Sequence, residues 1–254
     1  SLQGLNENSF VLEVGCNDGI MLQSFLSNKI PCLGIEPSQN VANVAIEKGI
    51  EVITEFFDQP LAQHISKMYQ KADAILSANV MCHIPYIHSI YDGVKFLLKD
   101  DGVFIFEDPY LGEIIEKTSF DQIYDEHVFL FSALSISYIA NAHDLELVDV
   151  EPQITHGGSM RYTIAHKGLK EVSQNVNRLI EQEKSIGLDN QHAYMNFTKS
   201  VDKIKDDLIS LLTKLKNEGK KVVAYGATSK STTVTNYFGI TPDLVDCIYD
   251  TTPI

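Results

Sequence analysis

The sequence predicts an α/β fold, a doubly wound parallel sheet, and three observations carry that prediction. Apolar strand-like runs alternate with helix-patterned segments from residue 10 onward, which is the pattern of βαβ units. The first run passes into a glycine-containing turn, Val11-Leu12-Glu13-Val14-Gly15-Cys16-Asn17-Asp18-Gly19, before Ile20-Met21-Leu22 opens a helix. The next run, Pro31-Cys32-Leu33-Gly34-Ile35, ends in Glu36, the place where such folds hold a ribose by its hydroxyls.

Taken in order, the strands fall at residues 10–14, 31–35, 72–77 and 102–107. Helices separate or follow them at 20–28, 39–48, 60–69 and 86–99. A further helix at 133–143 opens on the capping residue Ser132. Two strand-like runs, 146–150 and 160–165, are separated by residues 153–159, enough for an antiparallel hairpin. The first domain is therefore expected at 1–168. Between Leu169 and Glu218 apolar residues recur at helical spacing (Ile204, Leu208, Leu211, Leu212, Leu215) among charged ones. Helices over 170–186 and 191–217, the second roughly 40 Å long, are read as a connector packing on both neighbours. At 219–254 a new unit begins, with Lys221-Val222-Val223-Ala224-Tyr225-Gly226 leading through Ala227-Thr228-Ser229-Lys230 into a helix. A strand over 244–249 then ends at Asp250. Two strands do not make an independent sheet, so this lobe is read as incomplete.

Composition narrows the partners. Of the 254 residues, 44% are hydrophobic, enough for a proper core, and the formal charge is −14. Such an acidic chain without basic stripes argues against nucleic acid. No apolar run reaches membrane-spanning length, and Ser1-Leu2-Gln3-Gly4 is not a signal peptide. The four cysteines (Cys16, Cys32, Cys82, Cys247) form no C-x-x-C pair. They read as free thiols in a reducing cytoplasm, with neither a metal site nor a disulfide framework. Ser1 in place of Met, almost directly before a strand, reads as the start of a fragment.

The turn lacks the third glycine of G-x-G-x-x-G and the G-K-[ST] of a phosphate loop, which argues against a dinucleotide fold and a P-loop. What remains resembles the class I S-adenosylmethionine-dependent methyltransferases, in which E-V-G-x-x-x-G is the cofactor turn. The resemblance implies S-adenosylmethionine as cofactor. Its contacts would be Glu13, Gly15, Asn17, Asp18, Gly19, Glu36, Pro37 and Asn79.

Three clusters could carry chemistry. Tyr124-Asp125-Glu126-His127 offers a base, an acid and a hydroxyl; a plain surface cluster is the alternative. Asn79-Val80-Met81-Cys82-His83 lies just past a strand end, where His83 faces the reactive centre unless it simply starts a helix. His156-Gly157-Gly158-Ser159 could present backbone N–H groups to an anion or be an ordinary hairpin turn.

Together these positions resemble the sugar C-methyltransferases that act on nucleotide-linked keto-deoxysugars. The motifs are V-L-E-V-G-x-N-D-G, N-V-x-x-H-I around His83, Y-x-E-H-x-x-x-F-S from Tyr124 to Ser132, H-G-G-S-x-R from His156 to Arg161, and Y-G-A-T-x-K from Tyr225 to Lys230. The resemblance implies His83, Tyr124, Glu126 and His127 as active-site residues; a carbon acid needs a base, and His127 is assigned that role, with Glu126 orienting it or raising its basicity. Tyr124 and His83 would contact an enolate oxygen or hold the sugar. His156, Gly157, Ser159, Tyr225 and Lys230 would bind the small-molecule nucleotide-sugar. The chain departs from the family in lacking a cysteine-rich zinc-binding module and in stopping at Asp250-Thr251-Thr252-Pro253-Ile254, so it reads as the core of a longer protein. The rival readings are an O- or N-methyltransferase on another small metabolite and a non-catalytic scaffold that binds the same cofactor.

Overall fold

The alternation builds one seven-stranded sheet in the computed structural model, which describes residues 4–251. The Ser1 start and the end of the Asp250–Ile254 run lie outside the described residues. In chain order the first elements are β1 (Val11–Val14), α1 (Leu22–Ser27), β2 (Cys32–Ile35), α2 (Gln39–Glu47), β3 (Glu51–Ile53) and α3 (Gln59–Ile65). They are followed by β4 (Ala72–Ala78), α4 (Ile87–Leu97), β5 (Leu98–Pro109), α5 (Leu111–Lys117) and α6 (Ala133–Ala142). Then come β6 (Leu145–Gln153), β7 (Ser159–His166), α7 (Gln174–Ser185), α8 (Gln191–Asn217), β8 (Val223–Tyr225), α9 (Ser229–Phe238) and β9 (Cys247–Tyr249).

The strand order is β3-β2-β1-β4-β5-β7-β6. β1 pairs in parallel with both β2 and β4, so the order reverses at the end of β1, where the glycine turn sits. Only β7 runs antiparallel, pairing with β5 on one side and β6 on the other. The parallel strands read as near-continuous apolar runs because both faces are covered. On one face Leu12, Val14, Ile75, Phe104 and Phe106 are buried in the larger core, and on the other Val11, Leu22, Ala74 and Leu76 form a smaller one.

The chain divides into two units. One runs to Tyr110 and resumes at Val128–Glu183; the other comprises Leu111–His127 and the residues from Lys184 onward. The boundary expected near Gly168 therefore moves to Glu183, and a connector over 169–218 does not stand apart. The cause is visible in α7. Val176 is buried in the sheet core, and the fully buried Glu183 carboxylate accepts from Ala133 N–H (2.7 Å), Leu134 N–H (2.8 Å) and the Tyr110 hydroxyl (3.0 Å). It thus satisfies orphan N–H groups at the start of α6 beside the Ser132–Ser135 capping box.

In the second unit β8 and β9 form a two-stranded parallel sheet. The turn leading into α9 repeats the logic of the first. Gly226 N–H donates to the Tyr249 carbonyl (2.7 Å), and Asp250 accepts from Ala227 N–H.

Candidate active site

Three left-handed residues shape the first turn: Gly15 (φ +71°), Asn17 (φ +52°) and Gly19 (φ +76°). A Cβ on Gly15 would lie 2.4 Å from Val80 Cγ2, and one on Gly19 2.3 Å from Ile50 Cδ1. Both glycines are thus required by the protein's own packing, and Gly15 lets the chain pass against the segment after β4. Gly15 and Cys16 N–H donate to the Ile35 carbonyl (2.8 and 3.1 Å), tying the turn to the tip of β2.

Glu36 sits at that tip, almost buried. Its carboxylate accepts from Asn17 N–H (3.1 Å) and Ser38 N–H (2.9 Å). Each oxygen keeps a further lone pair, so the group is oriented by the backbone and still able to accept from a diol. Pro37, exposed beside it, disfavours helical backbone at Glu36. The Asn17 side chain accepts from Asp18 N–H (2.8 Å), and Asp18 is paired with Lys48 Nζ at 2.7 Å. Lys48 holds the Asp18 carboxyl below its usual range. The Asn17 side chain is thus engaged within the turn, and that of Asp18 with Lys48 at the end of α2.

Glu13 lies below the turn on β1, its Oε2 buried with no hydrogen-bond partner. Burial, and then the charge of Asp18, push its carboxyl up to about 8. Burial and the charges of Glu13 and Glu36 raise the neighbouring Cys16 thiol to about 12. Carboxyl groups at Glu13, Asp18 and Glu36 therefore surround one glycine turn. This setting, with an orphaned buried oxygen, fits a ribose-bearing cation such as S-adenosylmethionine.

Across the strand reversal, Asn79 is left-handed (φ +55°) and its N–H donates to the Glu107 carbonyl (2.7 Å). The Met81–His83 segment is a 3₁₀ turn, with Met81 and Cys82 buried and His83 half-buried. The turn is anchored by Phe129 N–H on the Cys82 carbonyl (3.1 Å).

In the other unit, Tyr124 and His127 form a close pair, with ring centroids 4.1 Å apart. His127 Nδ1 lies 2.7 Å from the Gln122 carbonyl, and a carbonyl only accepts, so Nδ1 carries the proton. Nε2 is then the acceptor for the Tyr124 hydroxyl at 2.8 Å. The orienting group on Nδ1 is thus the backbone of Gln122, where the sequence suggested the side chain of Glu126. Glu126 is exposed and lines a cleft of about 680 Å³ with Tyr124, Asp125 and the α9 residues Ser229, Thr232, Thr233 and Asn236. Stacking of Phe120 on Phe238 (4.9 Å) and a bond from Thr233 Oγ1 to the Ile123 carbonyl (3.1 Å) fix this segment on α9.

The remaining expected residues are more scattered. Tyr225 is 75% exposed, its hydroxyl 3.3 Å from Thr251 Oγ1, and neither it nor Lys230 borders that cleft. In the β6–β7 turn His156 is left-handed (φ +52°) and exposed beside Gly157 (φ +83°). Ser159 is buried and donates to the Thr155 carbonyl (3.2 Å), so its hydroxyl closes the turn. The residues that sequence reasoning missed are Gln122, whose role is played by a backbone carbonyl, and Asp108, a buried acid at the end of β5.

A family model described as a methyltransferase domain matches residues 2–150, and one described as a C-methyltransferase C-terminal domain matches residues 154–254. Over 250 residues the chain is 30% identical to the C-methyltransferase NovU of Streptomyces niveus, a match covering 98% of this chain and 60% of that protein. The chain spans about 60% of the length of this curated relative. Among solved structures, an S-adenosylmethionine-dependent methyltransferase of Anabaena variabilis superposes with a TM-score of 0.50 at 17% identity, covering 65% of this chain and 79% of that one. Magnesium protoporphyrin IX methyltransferase of Synechocystis, solved with bound S-adenosylhomocysteine, gives 0.51 at 15% identity over 65% of this chain and 76% of that one. These likenesses show the class I methyltransferase fold.

Proposed function

The chain belongs to the family of methyltransferase domains, and from that premise we propose that it transfers a methyl group from S-adenosylmethionine to a carbon next to a ketone in a nucleotide-linked deoxysugar. The Tyr124–His127 pair carries this reading. Oxygen and nitrogen nucleophiles hold a lone pair ready, whereas a carbon must first lose a proton to become an enolate. An imidazole with Nδ1–H fixed on the Gln122 carbonyl and a basic Nε2, which accepts from the Tyr124 hydroxyl until that hydroxyl turns to the substrate, is the base that such a step needs. The identity with NovU, a C-methyltransferase, supports the same chemistry.

When bound, S-adenosylmethionine supplies an electrophilic methyl group on a sulfonium. The 15–19 turn would bring backbone close to it, Glu36 would accept from the ribose hydroxyls, and the buried, largely protonated Glu13 carboxyl would offer it a polar contact. His127 Nε2 takes the proton from the sugar carbon, and the charge passes to the ketone oxygen. Tyr124 and His83 contact that oxygen or hold the sugar. S-adenosylmethionine would supply the methyl group for that carbon and leave as S-adenosylhomocysteine, and His127 would pass its proton to water. The polar face of α9 and the 156–159 turn serve the nucleotide-sugar. Among the described residues no helix is long and apolar enough to cross a membrane, and the four free thiols fit a reducing, cytoplasmic setting.

The test is to incubate the protein with isotopically labelled S-adenosylmethionine and a panel of nucleotide-linked keto-sugars. Label on a carbon next to the ketone is the expected product. Label on oxygen or nitrogen identifies the rival enzyme, and cofactor binding without transfer to any acceptor favours the scaffold.

A further inference from the structure

Behind the His83 turn lies a buried polar cluster that the proposed reaction does not use. Asp108, at the end of β5, is 0% exposed, and neither carboxyl oxygen closes a hydrogen bond. The hydroxyls of Tyr91 on α4 and Tyr162 on β7 are equally buried and likewise unpartnered by the protein. Four such atoms in one core are costly, about 1–3 kcal/mol for each unsatisfied group. Clusters of this kind ask for an explanation. The register sets Asp108 beside the turn after β4: Ala78 on β4 pairs with Glu107, Asp108 is the next residue, and Met160 on β7 lies opposite it. Asp108 faces the N–H groups of Met81 and Cys82 and the Cys82 thiol. The 3₁₀ turn has no side-chain cap of its own, so the buried carboxyl stands where a cap would stand.

We propose that Asp108 is a positioning residue: its buried carboxyl faces the Met81 and Cys82 N–H groups and, when charged, closes on them and holds the Met81–Cys82–His83 turn. The inference rests on the reading of His83 as a residue of the reaction. Burial raises the Asp108 carboxyl, and Glu107 adds to this; the thiol and N–H groups of the turn oppose them, leaving it at about 7. Burial first, and then the charge of Asp108, hold the Cys82 thiol and the Tyr91 hydroxyl above their usual ranges; burial and the charges of Glu183, Tyr110 and Asp108 do the same for Tyr162. An ionised Asp108 draws the N–H groups of Met81 and Cys82 in, and a neutral one releases them. The pose of His83 therefore follows one buried proton near neutral pH.

Amide ¹H–¹⁵N shifts of Met81 and Cys82, followed against pH in this protein without substrate, read this directly. Both should titrate together with a midpoint near 7, in wild type and in His83→Gln alike, and Asp108→Asn should flatten them. A flat wild-type profile, or an unchanged profile in Asp108→Asn, overturns the proposal. Infrared difference spectra of wild type against Asp108→Asn separate this carboxyl from that of Glu13: a protonated carboxyl band lost between pH 6 and pH 8 in wild type should be missing from the variant. Its absence from wild type at pH 6, or its persistence in the variant, equally overturns the proposal. In turnover, Asp108→Leu should cost about tenfold or more through a displaced His83, and Asp108→Asn should restore most of it without the pH dependence. Because the amide and infrared readouts use no sugar, they fail or succeed independently of the proposed reaction.

Discussion

His127 illustrates how much one imidazole owes to its backbone surroundings. The Gln122 carbonyl fixes the tautomer and leaves Nε2 as the acceptor, a detail that no side chain in the sequence announces because the partner is a main-chain atom. His127→Asn should lower turnover about 10²–10⁴-fold. The affinity for S-adenosylhomocysteine should hold, as measured by calorimetry, because the base acts on the acceptor alone. Solvent deuterium exchange at the carbon next to the ketone, measured without the methyl donor, tests the step itself: wild type should wash label in and His127→Asn should not. Equal exchange would move the base to another residue, His83 first. Glu36 makes a different kind of statement. Its two oxygens already take backbone N–H groups from Asn17 and Ser38. Glu36→Ala therefore removes the expected ribose acceptor and loosens the turn together, for a loss of about 2–4 kcal/mol in cofactor affinity. Unchanged affinity on calorimetry would remove Glu36 from the site.

Among the elements, the long helix was readable to the residue: apolar positions at helical spacing and the Asn190 cap, whose side chain accepts from His192 N–H (2.8 Å), define Gln191–Asn217. The strand–turn–helix at 11–27 and the acid at the tip of β2 were equally legible, since glycine and carboxylate carry their own geometry. β3 was not, because three residues beginning with an exposed Glu51 give no period to read. α5 was hidden in a stretch whose partners lie elsewhere in its unit. Asp108 could not be distinguished from any other acid until β5 and the turn after β4 came together. The first turn also changes the reason for its glycine. Sequence alone places the ligand beside Gly15, whereas the structure places Val80 there, 2.4 Å from a would-be Cβ. Gly15→Ala should thus destabilise by about 1–3 kcal/mol, from the left-handed backbone and the contact with Val80. Val80→Ala in the same chain should recover part of that loss in thermal melts. If it recovers none, backbone strain alone accounts for the glycine.

At the scale of the whole molecule, the acidic character behind the −14 charge and the buried acids act in different pH windows. A carboxyl group in water titrates around 4 and is ionised by pH 6. Glu13 at about 8 and Asp108 at about 7 are not. Both are raised on folding, so between about 4 and 8 the native state holds protons that the unfolded chain has released. Stability must then fall as pH rises through that range, since the unfolded state binds fewer protons. The buried Glu183, also pushed up by burial, adds to the fall. Asp18 and Asp144, held low by Lys48 and Lys95, act in the opposite sense, but only as pH drops below the usual carboxylate range. The interval from pH 6 to 8 therefore reads the buried carboxyls, and replacing Glu13 and Asp108 isolates their share. Each extra proton held by the native state costs about 1.4 kcal/mol of stability for every pH unit over which it is held. Thermal melts at pH 6 and pH 8 should show the wild type losing several degrees. Glu13→Gln combined with Asp108→Asn should lose far less, because neither amide ionises. A double variant with the wild-type fall would show that neither carboxyl enters the fold protonated, and the cluster behind the His83 turn would then lose its near-neutral proton as well.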